Sequence, residues 1–503
     1  MYSIYDSLLN YSYSMKSEYK TKVFLHTSCV LDSRLAELFV SKRIRNRFDF
    51  FLMNDTYCEV RMLRKSHIGN IGRNAALILK SCSRYIDGNL RYHYHLHNSR
   101  PYITERLLPS PDNEYIFVFY NPSAAEEFIL NTTPSEEKRT GALLNNIDLS
   151  ALDSIRILAF NQKLDGSVDF RYSYTAPVRL STFRYENLSE WKLRPEPRIV
   201  NVSPAGSTEG YKKLCIKGLF GDKKAVISKS RLTHHDRGGL ADIYTVNNCT
   251  ELKGKAIKIF KDKCKSDIMK EYLMSLKIYN DIFGDRIAFP EGVVTDEQGD
   301  IIGFVMKFFD NINTVRGLDV IRGTQSILKY EDSQKRAADL SLLLLEMSLF
   351  QLTMTDISHS NICFDKSGRT VIVDADSIET RNYIFNQYLV NPKFAHRNLI
   401  MHRKSVRAYH FPDVYVNFSY AVLLYQLYFI NSPLEHNKSD YPEWDTAKKY
   451  GISSVTEEKI CSPSPLNKLW SEMTPDFRKS FVSHFSGNTI YTIGQWLDIL
   501  KLE

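Results

Sequence analysis

Apolar residues recur along this chain in two rhythms, and the change of rhythm divides it. Near the N-terminus the alternating runs Lys22-Val-Phe-Leu and Phe48-Asp-Phe-Phe-Leu-Met predict strands. Residues 33–43 and 70–83 carry helical spacing, so residues 1–100 read as an α/β segment whose role is not legible. From residue 115 the pattern becomes all-β. Short alternating runs at 115–121, 146–150, 154–161, 170–174, 178–180 and 182–185, with turn residues between them, predict a β-sandwich over 101–195. Residues 196–212 are rich in Pro, Gly, Ser and Thr and read as a linker.

Beyond the linker, residues 227–246 predict two strands around Gly238-Gly239, and Lys255-Ala-Ile-Lys258-Ile-Phe260 a third. An amphipathic helix follows over 267–282, with Ile268, Leu273, Leu276 and Tyr279 at helical spacing. Residues 288–291 and 301–309 read as paired strands leading to a hinge. A long apolar helix, 336–352, feeds into Asp356, and short helices punctuated by Pro463, Pro465 and Pro475 finish the chain. The fold expected for 213–503 is α+β and two-lobed, with lobes at about 213–308 and 309–503.

The candidate chemistry lies at Asp356-Ile-Ser-His-Ser-Asn361 and Val371-Ile-Val-Asp374-Ala-Asp376. Asp356 and Asn361 stand at the spacing of the Asp and Asn in a kinase catalytic loop, so the Asp can face a hydroxyl while the Asn carbonyl turns to a metal. Asp374 closes an apolar β run and offers a second hard oxygen ligand, with Lys366-Ser-Gly-Arg369 as the hairpin turn between. Upstream, Gly238 and Gly239 let backbone approach phosphate, Lys258 can reach the α and β phosphates, and Glu271 can carry a carboxylate to Lys258. Asp376 reads as a cap or internal acceptor rather than a third metal ligand.

These residues give the chain its resemblance to a family. Gly238-Gly239-Leu-Ala, Ala256-Ile-Lys258, Phe289-Pro290 with Gly303-Phe-Val-Met306, and Asp356…Asn361…Val373-Asp374-Ala-Asp376-Ser377 are similar to the GGEG, A-K, GFVMP, D-x-N and IDTDS signals of atypical bacterial protein-kinase-like domains. Over residues 225–485 the resemblance implies ATP and Mg²⁺ as cofactors. It implies Asp356 as base, Lys258 on phosphate beside Glu271, Asn361 and Asp374 as Mg²⁺ ligands, and Gly238, Gly239 and Met306 around the nucleotide. A Ser/Thr protein kinase with a protein substrate is the reading that follows. A pseudokinase scaffold and an AMP transferase are the alternatives. Asp236 and Ala241 stand where the family has loop glycines, Thr355 replaces the usual Arg before the catalytic Asp, and no Ala-Pro-Glu follows Asp374. A phosphorylated activation loop docking on that Arg is therefore not expected.

Phe117-Val-Phe-Tyr-Asn121, Lys138-Arg-Thr-Gly141, Ile147-Asp-Leu-Ser150 and Phe183-Arg-Tyr185 resemble the TerD-type tellurite-resistance and stress-response domain. That implies a docking module in stress or tellurium-resistance signalling. The family's calcium-binding acidic runs are missing, so calcium is not expected here.

Composition adds limits. The 43% hydrophobic and 25% charged content is ordinary for a globular chain, and a formal charge of +8, read as spread along 503 residues, does not indicate nucleic acid. Eight cysteines without a C-x-x-C pair argue against zinc and a disulfide framework, which suits a reducing, cytoplasmic setting. The most apolar runs are too short to span a membrane. His26-Thr-Ser-Cys29 lacks the partners of a metal-adhesion motif, and His93, His95 and His97 on one strand face converge poorly for a metal.

Overall fold

The structure is a computed structural model. It describes residues 3–14, 20–85, 114–120, 154–162, 168–176, 197–200, 211–220, 223–237, 241–246, 249–264, 267–309, 314–317, 330–385, 391, 393–396, 413–429, 432–434, 453–460, 464–486 and 490–502. Two compact units form: residues 1–196 with 341–352 and 473–503, and residues 197–340 with 353–472.

The first unit opens with α1 (Ile4–Ser14) and β1 (Thr21–Leu25). Then come α2 (Leu35–Val40), α3 (Lys42–Arg47), β2 (Phe48–Met53), α4 (Asn54–Leu63), α5 (Ile71–Ser81) and β3 (Ser83–Tyr85). β4 (Glu114–Phe119), β5 (Ser154–Gln162) and β6 (Val168–Ala176) follow. All six strands share one sheet in the order β3-β2-β1-β4-β5-β6. Every neighbouring pair is parallel except β5 with β6. This corrects the sandwich expected over 101–195. β4 pairs in parallel with β1, Lys22 opposite Tyr115, so the strands read as opening a second domain extend the first. The physical reason lies in the strands: Val23 to Leu25 and Ile116 to Tyr120 are buried without alternation, which is how a strand covered on both faces reads. Phe24 stacks between Phe51 and Phe117, with ring centroids 5.6 and 5.1 Å away. The TerD-like motifs at 138–141 and 147–150, and His93, His95 and His97, lie outside the described residues.

Asp32, fully buried, ties this unit together. Its Oδ2 accepts from the Ile4 amide at 2.8 Å and the Tyr120 hydroxyl at 2.9 Å, and its Oδ1 from the Arg34 amide at 2.6 Å. Burial pushes the Asp32 carboxyl above the usual carboxylate range, against those three donors. Replacing Asp32 with Ala leaves the donors unmatched, at about 1–3 kcal/mol for a buried one. The expected loss is about 3 kcal/mol of stability, read as a lower denaturant midpoint at unchanged slope.

The second unit contains β7 (Arg198–Val200), β8 (Lys213–Phe220), β9 (Lys223–Ser228), β10 (Leu232–Arg237), β11 (Ala241–Val246) and β12 (Lys255–Cys264). After α6 (Asp267–Lys277) come β13 (Pro290–Thr295), β14 (Ile301–Lys307) and β15 (Thr314–Arg316). α7 (Tyr330–Leu349) contributes residues 330–340 to this unit. β16 (Leu352–Met354), β17 (Ile362–Asp365), β18 (Thr370–Ile372), β19 (Ile378–Thr380), β20 (Tyr383–Phe385) and α8 (Asp413–Phe429) complete it, with a helix over 464–472. Its main sheet is antiparallel, ordered β10-β11-β12-β14-β13-β8-β9. The two edge strands, β9 and β10, are joined by only Lys229–Arg231, so the sheet curls back on itself. Inside the curl lie Leu214, Ile216, Ile227, Ile257, Ile259, Val294, Ile302 and Val305.

The C-terminal helices α9 (Pro475–Phe485) and α10 (Ile493–Leu500) belong to the first unit, not to the second lobe in which the sequence placed them. α10 packs on α4 so closely that a Cβ on Gly494 would stand 2.7 Å from the Asp55 carbonyl. Lys65 Nζ also donates to the Leu502 carbonyl at 3.3 Å. α10 starts with a capping box between Thr492 and Gln495, and its Trp496 is fully buried against Phe481, 4.4 Å between centroids.

Candidate active site

β12 carries Lys258 because its residues alternate: Ala256 faces Met306 and Lys258 faces Phe304 across the β12–β14 ladder. Met306 is buried at the end of β14, just before the expected hinge. On the other side of the site, β17 and β18 form the hairpin that the sequence implied, turned at Gly368 with φ +83°. The hairpin is anchored to the approach to β13. The Ala288 amide donates to the Ile372 carbonyl at 2.9 Å and the Ile372 amide to the Arg286 carbonyl at 2.8 Å. Arg286 is ion-paired with Asp339, whose Oδ2 also accepts from the Thr370 amide at 2.6 Å. Asp374 leaves this anchored strand two residues later.

Lys258 Nζ lies 2.6 Å from Asp374 Oδ1 and 2.9 Å from Asp376 Oδ2. Burial works against its charge, but the two carboxylates overcome this and raise its pKa. Asp374 is also disfavoured as an anion by burial, yet the Lys258 ammonium and hydrogen bonds from Asp376 hold it below the usual range. Asp376 moves the other way, pushed up by burial and by the Asp374 charge.

Asn361 sits at the start of β17, and the Val373 amide donates to its carbonyl at 3.0 Å, which brings it beside Asp374. Its Nδ2 donates to Asp356 Oδ2 at 2.9 Å and to the Asp356 carbonyl at 3.0 Å. The amide therefore spends its nitrogen on Asp356 and keeps Oδ1 for a cation. Asp356 Oδ1 accepts from the Asn391 amide at 2.8 Å. Burial raises the Asp356 pKa, opposed by those hydrogen bonds and by Lys258.

Four residues named from the sequence, Lys258, Asp356, Asn361 and Asp374, thus meet in one place. Gly238 and Gly239, between β10 and β11 in sequence, lie outside the described residues. Glu271 does not join them, which corrects the pairing expected with Lys258. It is ion-paired with Arg198 of β7, both about half exposed, and the Tyr383 hydroxyl stands 3.4 Å from its Oε2. The reason is the helix register. Met269, Tyr272, Leu273 and Leu276 are the buried positions of α6, and at about 100° per residue Glu271 points roughly 150° away from the middle of that face.

The site also uses residues that sequence reasoning passed over. The Tyr272 hydroxyl donates to the carbonyls of Asp376 (3.1 Å) and Ile378 (2.8 Å), pinning the segment after Asp374 to α6. A Tyr on the apolar stripe of an amphipathic helix was the available signal, since a buried hydroxyl needs a partner. Replacing Tyr272 with Phe is expected to cost about 1–2 kcal/mol and to loosen this segment, seen as faster amide exchange at residues 376–380.

The oxygen donors fit Mg²⁺. That ion is held through one or two carboxylates, waters and substrate phosphates rather than by a full protein cage. Among the described residues no group of three or more His, Cys, Asp or Glu is placed to hold a metal ion. Basic charge favours an anionic ligand here. Residues 211–265 hold 14 Lys and Arg against 5 Asp and Glu, so the +8 of the chain is concentrated rather than spread. No described helix is long and apolar enough to cross a membrane.

No family model matches the chain, and no curated protein matches it. Among solved structures the chain is distantly similar to a ROP18 kinase domain in complex with AMP-PNP and sucrose. The TM-score is 0.37 at 14% identity, covering 57% of this chain and 82% of that one. A likeness so remote adds nothing to the geometry, and the functional reading stands on the arrangement of Lys258, Asp374, Asp356 and Asn361.

Proposed function

We propose that the second unit is an ATP- and Mg²⁺-dependent phosphotransferase with a kinase-like site. The observation that supports this reading is the convergence of buried Lys258 with Asp374, Asn361 and Asp356 from widely separated parts of the chain. Lys258 binds phosphate oxygens, exchanging part of its contact with Asp374 for the nucleotide. Asp374 and Asn361 Oδ1 hold Mg²⁺, which when bound neutralises charge on the phosphates. Asp356, oriented by Asn361 and the Asn391 amide, accepts the proton of the attacking hydroxyl. Burial raises its pKa, which makes the carboxylate a stronger proton acceptor than an exposed one. A protein Ser or Thr hydroxyl is the proposed acceptor.

A nucleotide-binding scaffold without transfer is the second reading, favoured by Asp236 near the loop tip, where the resembled family has glycine. The mostly parallel sheet of the first unit lends no support to a stress or tellurium-resistance role. Incubation with Mg²⁺ and ATP labelled at the α or γ phosphate tests the reading. Label from γ on a protein acceptor is expected. Label from α would mean AMP transfer. Absence of label together with a Mg-ATP-dependent rise in melting temperature would mean a scaffold.

A further inference from the structure

In a kinase-like site the phosphate-binding lysine is steadied by a carboxylate besides the one that holds the metal, and α6 cannot provide it. The acidic residues of α6 are Asp267 and Glu271. Both fall on the side of the helix away from its buried positions, each at least about 150° from the middle of that face. Two explanations are open. Either Arg198 holds Glu271 outside in a latched state, or the helix is built this way round.

Magnitudes decide between them. The Arg198–Glu271 pair is half exposed on both sides and biases the equilibrium by at most about fivefold, too little to hold a helix in the wrong rotation. Turning Glu271 inward would expose Met269, Leu273 and Leu276, each a bias of roughly ten- to a hundredfold against it, and would break both hydrogen bonds of the fully buried Tyr272. The rotation is therefore fixed by the core, and the carboxylate beside Lys258 must come from elsewhere.

Asp376 is placed to provide it. It lies two residues beyond Asp374 on the same anchored segment, its Oδ2 is 2.9 Å from Lys258 Nζ, and its own carbonyl is held by Tyr272. We infer that Asp376 is the positioning residue for Lys258, occupying the place that a helix glutamate was expected to fill. Asp374 would then be free to hold Mg²⁺, while Asp376 keeps the ammonium on its line. This inference rests on the nucleotide-site reading above and deepens it.

The test is Mg-ATP affinity of the full chain, by calorimetry, for wild type, Lys258→Met, Asp376→Ala, Asp376→Asn, Glu271→Ala and the double variant Lys258→Met/Asp376→Ala. Asp376→Ala should weaken binding roughly tenfold, the scale of one charge-assisted hydrogen bond. Asp376→Asn, which still accepts from the ammonium and donates to Asp374, should stay within about threefold of wild type. Glu271→Ala should do the same. In the Lys258→Met background, Asp376→Ala should add nothing, because its effect passes through the lysine; a structural role would persist there. A Glu271→Ala loss as large as that of Lys258→Met overturns the inference. So does unchanged or tighter binding by Asp376→Ala, or a further loss in the double variant. Wild type that does not bind Mg-ATP, or Lys258→Met that binds it equally well, overturns the nucleotide site itself.

Discussion

Asp374→Ala is expected to lower transfer of γ-label by at least about a hundredfold and to remove the Mg²⁺-dependence of ATP binding. Removal of a single preorganised electrostatic group at a transferring centre has consequences on that scale. Asp374 is the residue where two demands meet, since it pairs with Lys258 in the structure and, in the proposed function, would also ligate the metal. Metal-free ATP should still bind the variant, because Lys258 remains beside Asp376. Titrating ATP with and without Mg²⁺ reads this directly. A variant whose ATP affinity still rises on adding Mg²⁺ would show that the metal is held elsewhere.

The second large effect lies far along the chain. Trp496→Ala is expected to destabilise the first unit by about 3–5 kcal/mol, the usual cost of truncating a buried tryptophan. Trp496 is fully buried with Phe481, His484 and Tyr491 around it, on a helix packed against α4. Mg-ATP affinity of the folded fraction should not change, because the nucleotide site belongs to the other unit. Amide exchange should therefore quicken in β1, β2 and β4 and not in β12 or β18. Exchange that quickens in β12 instead would return the C-terminal helices to the second lobe.

What the sequence made legible was chemistry at fixed spacing. Asp356 to Asn361 is a local distance, and Asp374 follows through a hairpin whose turn residues are plain in Lys366-Ser-Gly-Arg369. Lys258 is set by strand alternation. The Glu271 expectation failed because helix phase was not applied to it. Ile268, Leu273, Leu276 and Tyr279 centre a face about 120° from Glu271, and Met269, Tyr272, Leu273 and Leu276 a tighter one about 150° away, so either set turns Glu271 outward. That distinction could have been drawn from residue numbers alone.

The first unit was less legible for a different reason. Strand direction is not written in a run such as Tyr115-Ile-Phe-Val-Phe, which pairs equally well in either sense. Its parallel pairing with β1 and the burial of both its faces, which only the structure shows, told against a sandwich. The assignment of 473–503 was invisible because it depends on contact across more than 400 residues, between Gly494 and Asp55, and no local pattern encodes such a contact.

That long-range contact has a consequence for biosynthesis. A chain that grows by about 5–20 residues per second needs roughly 20–80 s to pass from the end of β3 to the start of α9. Through that interval α4 has no α10 to pack against, while residues 197–340 and 353–472 become available to fold. The nascent protein must wait for its last helices with apolar surface unshielded, and this interval is when a holdase chaperone would be needed most.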